Sequence, residues 1–175
     1  MNNHAIKSGL ITGVISIVLS LLIYIVDPTI FAIWWLMLLL MLVYVGIVTY
    51  FGIQHRNLEG GYLSFGKAWV YSMTALVTYS LVGMVFSILL FTVIDPELSE
   101  IVTDAVVEKS EAMMRNFGMP EDQMDEALEK TRTDTLDRFT VMGSLKGFAW
   151  GLIINAILSL ISGAIIKKKE PELEG

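Results

Sequence analysis

The sequence predicts an all-α membrane protein with four transmembrane helices and an acidic amphipathic helical hairpin between spans three and four. The first observation is that hydrophobic residues make up 54% of the 175 residues and are concentrated in four uncharged blocks. Each block is close to the ~20 residues that a helix needs to cross the hydrocarbon layer. The second observation is that the 45 residues from Asp95 to Phe139 carry 18 charges. So many charges exclude this segment from the hydrocarbon layer.

The four hydrophobic blocks are predicted to be membrane spans within a single membrane domain, residues 1–175. The spans comprise residues 9–26, 29–53, 68–94 and 147–166, and none contains a charged residue. They are expected to be helical because lipid offers the backbone no hydrogen-bond partner. The first is interpreted as a retained helix, since no A-x-A-like cleavage site of a signal peptide follows it.

Two Asp-Pro pairs mark the ends of spans one and three. They are Asp27-Pro28, which joins spans one and two, and Asp95-Pro96. Proline disfavours the α conformation for the residue before it, so each Asp is expected to end a helix at the membrane surface. The same Asp can then cap the next helix, with Pro at its first position. An ion-binding carboxylate is the alternative, although no second acid lies inside the spans.

The distribution of Lys and Arg predicts the orientation of the spans. One set of span ends carries most of the closely placed cations: Lys7, Arg56, Lys67, Lys167, Lys168 and Lys169. At the opposite ends the cations are diluted through the long loop, with Lys146 at the start of span four. The positive-inside rule therefore places the N- and C-termini in the cytoplasm and the acidic segment outside it.

The acidic segment, residues 95–140, is predicted to fold as a hairpin of two amphipathic helices outside the bilayer. Apolar residues from Leu98 to Phe117 recur at three- and four-residue spacing, which indicates a helix. Gly118 is expected to end it. Pro120 and the acids after it begin a second helix, which is expected to continue through Phe139 into span four.

Span four carries a stripe of small or polar residues at every fourth position, which allows another helix backbone to approach closely. The stripe comprises Gly143, Gly147, Gly151, Asn155, Ser159 and Gly163, and span one has a shorter version in Gly9 and Gly13. Asn155 is expected to hydrogen-bond across helices, with lining of a solute pathway as the alternative.

No motif indicates catalysis, so we expect no enzyme, no cofactor and no metal site. The stretch GYLSFGKA, residues 61–68, nearly matches a phosphate-binding loop, but Ala68 replaces the required hydroxyl and no strand precedes it. Methionines of the acidic segment could bind copper, but packing is the expected role. His4 and His55 are expected to be solvated. The chain has no cysteine, and no clustered basic face suggests nucleic acid.

Five stretches together resemble a family of uncharacterised four-span bacterial integral membrane proteins, a domain-of-unknown-function family. They are KSGLITG, EGGYLSFGKA, VIDPEL, MMRNFGMPEDQMDEALEK and SLISGAIIKKKEPE. The resemblance implies an integral protein of the bacterial inner membrane. It supplies no functional residues.

Two hypotheses about function remain open at this point. The first is a non-enzymatic scaffold or interaction protein that presents the acidic hairpin to a protein partner or to its own copy. The alternative is an oligomeric subunit of a small-solute transporter or channel, with Asn155, Tyr79 and Thr78 as pathway residues. In both, the lipid bilayer is the surrounding medium.

Overall fold

The computed structural model describes residues 2–170 and is all-helical, as predicted. The α-helices are α1 Asn2–Val26, α2 Trp34–Leu58, α3 Phe65–Leu89, α4 Leu98–Asn116, α5 Glu121–Phe139 and α6 Val141–Ile166. A 3₁₀-helix occupies Pro28–Ala32, and a π-helix occupies Leu90–Ile94. Within the described residues, β-pairing is limited to one isolated bridge between Leu63 and Lys168.

Among the described residues, four helices are long and apolar enough to cross a membrane: Asn3–Val26, Trp34–Leu58, Phe65–Ile94 and Val141–Ile166. Each leaves large apolar side chains open to its surroundings. Leu22, Leu42, Val85 and Ile157 are between 49% and 58% exposed. Such surfaces suit lipid rather than water, so the chain is a multi-pass membrane protein with the predicted number and order of spans.

The helices do not coincide with the predicted spans at several ends. Helices α1, α3 and α6 begin before the predicted starts at residues 9, 68 and 147. They include Lys7, Lys67 and Lys146, because a helix can continue past the hydrocarbon layer, where charged side chains are solvated. Helix α2 is Trp34–Leu58 and not residues 29–53, since the chain first forms the 3₁₀-helix.

Asp27 caps that 3₁₀-helix and not α2. Its Oδ1 accepts hydrogen bonds from Thr29 Oγ1 at 2.7 Å and from Thr29 N at 2.8 Å. These two bonds stabilise the charged carboxylate and hold the pKa of Asp27 below its usual range. Pro28 takes the first position of the short helix, where its missing N–H leaves no donor unsatisfied.

Asp95 ends the third span, but it does not cap the helix that follows. The last residues of that span form the π-helix, and Asp95 N donates to Leu90 O at 2.9 Å. The Asp95 carboxylate accepts a hydrogen bond from Tyr24 OH at 3.0 Å. Helix α4 instead follows Glu97, which makes no side-chain capping bond. The long-range bond to Tyr24 thus replaces the expected local cap.

The prediction that the second acidic helix continues into span four is also wrong. The chain is extended at Thr140 (φ −70°, ψ 160°), and Thr140 Oγ1 accepts a hydrogen bond from Gly143 N at 2.9 Å. Thr140 therefore caps α6 as a separate helix. A Cβ added at Gly143 would collide with the carbonyl oxygen of Asp137, so glycine permits this sharp junction.

The chain divides into two compact units. The first contains α1 through Ile17, Leu39–Gly83 and the described chain from Phe148 onward; the second contains Val18–Leu38 and Met84–Gly147. The core of the second unit is a cluster of Leu90, Phe91, Leu98 and Val102, with partly buried aromatic side chains packed around it. This cluster attaches α4 to the end of the third span.

Candidate functional site

Buried hydroxyl groups join the helices of the first unit. Ser162 Oγ on α6 lies 2.8 Å from Thr49 Oγ1 on α2 and 2.9 Å from Ser72 Oγ on α3. Ser8 Oγ on α1 lies 2.6 Å from Tyr71 OH on α3. Each such bond between membrane helices contributes about 0.6–2 kcal/mol. These hydroxyl groups therefore stabilise the packing of the spans.

Asn155 and the other residues considered for a solute pathway are bonded inside the first unit. Asn155 is 8% exposed, and its Nδ2 donates to Ser80 Oγ at 2.9 Å. Tyr79 packs on Tyr44 with ring centroids 5.0 Å apart, and Thr78 Oγ1 donates to the carbonyl oxygen of Thr74. Within the described residues these contacts are those of a packed core.

The small residues predicted to mediate packing have different surroundings. A Cβ added at Gly9 would collide with Ala75 O, and one at Gly13 would lie 2.7 Å from Val82 Cγ1. At Gly163 it would lie 3.0 Å from the Trp69 backbone. Glycine thus allows close approach between α1 and α3 and between α6 and α3.

The middle of the span-four stripe faces open space. A Cβ at Gly147 or Gly151 would have no atom of the described chain within 4 Å. Ser159, one turn before Gly163, is fully buried. A packing role for Gly147 and Gly151 therefore stays a prediction, and it would require another molecule.

His4 and His55 lie together, and the expectation of a solvated His55 is wrong. Their ring centroids are 4.9 Å apart, and His55 stacks on Tyr71 at 5.0 Å. His55 is 3% exposed, and its Nε2 is buried without a hydrogen-bond partner among the described residues. His4 Nδ1 lies 3.3 Å from Tyr71 OH. Three helices therefore form one aromatic cluster at this end of the first unit.

A cavity of about 370 Å³ lies beside the loop between α2 and α3. We name it the loop pocket, and it is lined by Glu59, Tyr62, Leu63, Ser64, Lys67, Lys168, Lys169 and Glu170. Lys168 Nζ lies 5.6 Å from the centroid of the Tyr62 ring, within the range of a cation–π interaction. The loop pocket therefore concentrates cationic and hydrogen-bonding groups where helices end.

Helices α4 and α5 of the second unit are joined by ion pairs. Arg132 Nη2 donates to Glu100 Oε2 at 2.7 Å, and its Nη1 donates to Asp104 Oδ1. The bond to Asp104 is the main reason that the pKa of Arg132 is raised further above its usual value. All three side chains are substantially exposed, so water and salt screen each pair and its contribution to stability is small.

The first turns of α5 and the end of α4 form a surface that we name the acidic tip. Its carboxylates are exposed and form no ion pair with any residue from 2 to 170: Glu121, Asp122, Asp125, Glu126 and Glu129. Its apolar members are Met113, Phe117 and Met119, of which Phe117 is 83% exposed. The acidic tip combines a free aromatic ring with uncompensated negative charge.

Comparison with known protein families identifies the family of this chain. Residues 7–168 match the family described as "Protein of unknown function (DUF4199)". The chain belongs to this family. No curated protein and no solved structure matches it. The predicted resemblance to a domain-of-unknown-function family is therefore confirmed, and the match includes all four spans together with α4 and α5.

The description of the DUF4199 family assigns no role to any residue. The candidate sites are therefore inferred from the contacts within this chain. Sequence reasoning indicated the charge of the acidic tip. It missed the His4–His55–Tyr71 cluster and the loop pocket, because both require contacts between distant segments. Two sequence signals lay at the pocket. The stretch GYLSFGKA, residues 61–68, supplies four of its lining residues, and the triple lysine after α6 was interpreted only for orientation.

Proposed function

We propose that this chain is a non-enzymatic interaction protein of the bacterial inner membrane. In this proposal the four spans anchor an extracytoplasmic helical hairpin, α4 and α5, whose acidic tip binds a protein partner. The N- and C-termini lie in the cytoplasm. The observation that carries the proposal is the acidic tip, where Phe117 is 83% exposed and five carboxylates of α5 are also exposed.

The chemistry of the acidic tip favours a basic partner with an apolar pocket. Aromatic side chains that enter a pocket supply much of the energy of an interface, and Phe117 is available for this role. The exposed carboxylates of the acidic tip attract cationic surfaces and speed their encounter. A symmetric dimer through the tip would place like charges together, so a different protein is the better occupant.

The contacts of α4 with the end of the third span support the proposal that the acidic tip is held in a fixed position. Leu98 and Val102 are buried against Leu90 and Phe91. Farther along α4, Lys109 Nζ donates to the carbonyl oxygen of Thr29 at 3.1 Å. A surface held in advance loses less conformational entropy on binding.

The contacts of the first unit support placing both termini on one side. Arg56 Nη1 donates to Ile166 O at 2.9 Å, and Leu63 pairs with Lys168. His4, near the N-terminus, contacts His55 at the end of α2. The cations used for the orientation therefore belong to segments that meet, as the positive-inside rule requires for a cytoplasmic side.

We expect a photo-crosslinking residue placed at Phe117 or Glu129 to capture one specific protein in native membranes, identified by mass spectrometry. Glu121→Lys with Glu126→Lys should reduce the yield at least tenfold by reversing the local charge. Thr133, an exposed residue of α5 outside the tip, is the matched control position. The proposal fails if no specific neighbour is captured, or if Thr133 captures the same proteins equally well.

The orientation is tested by a pair of fusions. Alkaline phosphatase is active only when exported, and green fluorescent protein is bright mainly in the cytoplasm. Phosphatase inserted at Gly118 should be active, and fluorescent protein fused after Gly175 should be bright. The reverse pair would move the hairpin and its partner into the cytoplasm.

A further inference from the structure

The loop pocket is a built feature of the first unit rather than a group of free lysines. Leu63 N donates to Lys168 O, and Lys168 N donates to Leu63 O, both at 2.9 Å. Gly60 and Gly61 have positive φ values of 91° and 86°, which suit glycine in a tight turn. The loop after α2 and the chain after α6 are thereby held together on either side of the cavity.

The lining of the loop pocket fits a singly charged phosphate ester. Five lining residues carry hydrogen-bond donors: the lysines Lys67, Lys168 and Lys169 and the hydroxyl-bearing Tyr62 and Ser64. Lysine is a common phosphate ligand. Glu59 and Glu170 also line the cavity. These carboxylates disfavour a highly charged anion, but they can accept hydrogen bonds from hydroxyl groups on the ligand.

The position of the pocket favours a lipid over a soluble anion. It lies where α2 ends, α3 begins and α6 ends, all of them apolar spans. On the first turns of α3, Phe65, Trp69 and Val70 are 36–42% exposed and can contact acyl chains. Basic pockets between membrane helices bind acidic headgroups in this way, and a volume of about 370 Å³ is within the usual range for ligand sites.

We propose that the loop pocket binds the phosphodiester headgroup of an anionic, hydroxyl-bearing phospholipid of the phosphatidylglycerol type. The phosphate lies among Lys67, Lys168 and Lys169, and the headgroup hydroxyls face Glu59 and Glu170. This inference does not depend on the acidic tip or on which side of the membrane the pocket faces.

The experiment uses the purified full chain in neutral detergent. Phosphatidylglycerol, phosphatidylcholine or inorganic phosphate is titrated at constant ionic strength, and thermal stability and lipid retention by native mass spectrometry are measured. We expect saturable stabilisation by phosphatidylglycerol alone. Equal stabilisation by phosphatidylcholine would show that the pocket does not recognise the phosphatidylglycerol headgroup. Equal stabilisation by inorganic phosphate would show that the pocket binds a soluble anion. Either result overturns the lipid assignment.

A charge-matched pair of variants separates binding in the pocket from general attraction between an anionic lipid and the cations of the protein. Lys67→Gln with Lys169→Gln should weaken phosphatidylglycerol binding about 30-fold, since each lysine near anionic lipid contributes a factor of about five. Lys7→Gln with Lys130→Gln removes two exposed cations outside the pocket and should leave binding unchanged. If the pocket double variant folds poorly, Lys67→Gln alone should weaken binding about fivefold. Equal loss in pocket and control variants would overturn the proposal.

Discussion

We expect Leu98→Ala to lower the free energy of unfolding by about 2–5 kcal/mol, as large-to-small substitutions in tight cores do. Leu98 is fully buried and packs with Leu90, Phe91 and Val102. Its removal leaves a cavity where α4 joins the end of the third span. The loss should appear as a lower melting temperature in detergent and as faster amide hydrogen exchange throughout α4.

Ile101→Ala is the matched control for Leu98→Ala. Ile101 lies one turn farther along α4 and is 43% exposed, so its truncation should change stability by roughly 0.5 kcal/mol or less. Crosslinking from Phe117 should also decline in Leu98→Ala and persist in Ile101→Ala, because the first variant loosens the support of the acidic tip. Equal destabilisation by the two substitutions would show that Leu98 is not the anchor of α4.

The spans and the helices of the acidic segment could be predicted because their signals are local. Hydropathy over about 20 residues identifies a span, and apolar spacing identifies α4. Gly118 has a φ of 72°, the conformation expected of a glycine that ends a helix. Each of these features depends on neighbours in the sequence and not on tertiary contacts.

The helix ends were less predictable because local rules compete with tertiary contacts. Asp27 and Asp95 both precede proline, yet only Asp27 uses its carboxylate as a cap. Asp95 is bonded to Tyr24, 71 positions away. No local pattern distinguishes these two residues, because the fold brings Tyr24 within hydrogen-bonding distance of Asp95.

Features that join distant segments could not be predicted at all. The His4 ring on α1 lies 4.9 Å from the His55 ring on α2, and hydropathy does not indicate which helix faces meet. The surroundings of the stripe on span four could not be predicted for the same reason. Its spacing identified a small face, but it did not reveal that Gly163 meets Trp69 while Gly151 faces open space.

We expect Gly9→Ala and Gly151→Ala to change stability in opposite directions, although both replace glycine in a membrane helix. A Cβ at Gly9 would collide with the carbonyl oxygen of Ala75 and lie 2.6 Å from Thr78 Cβ. Helices α1 and α3 must therefore separate, which also stretches the hydrogen bond between Ser8 and Tyr71. Gly9→Ala should cost about 1–3 kcal/mol, and Gly9→Leu should prevent folding.

A Cβ at Gly151 would meet no atom of the described chain within 4 Å. Gly151→Ala should therefore raise the free energy of unfolding by up to ~1 kcal/mol, the difference in helix propensity between the two residues. Melting temperatures of the variants in one detergent measure both effects, and size-exclusion chromatography reports the oligomeric state. Equal destabilisation by the two alanine variants would contradict the close packing of α1 on α3 as the reason for glycine at position 9. If Gly151→Leu preserves the fold but dissociates an oligomer, the open part of the stripe is a contact between copies, because a bulky side chain disrupts close helix packing only where a second helix is present.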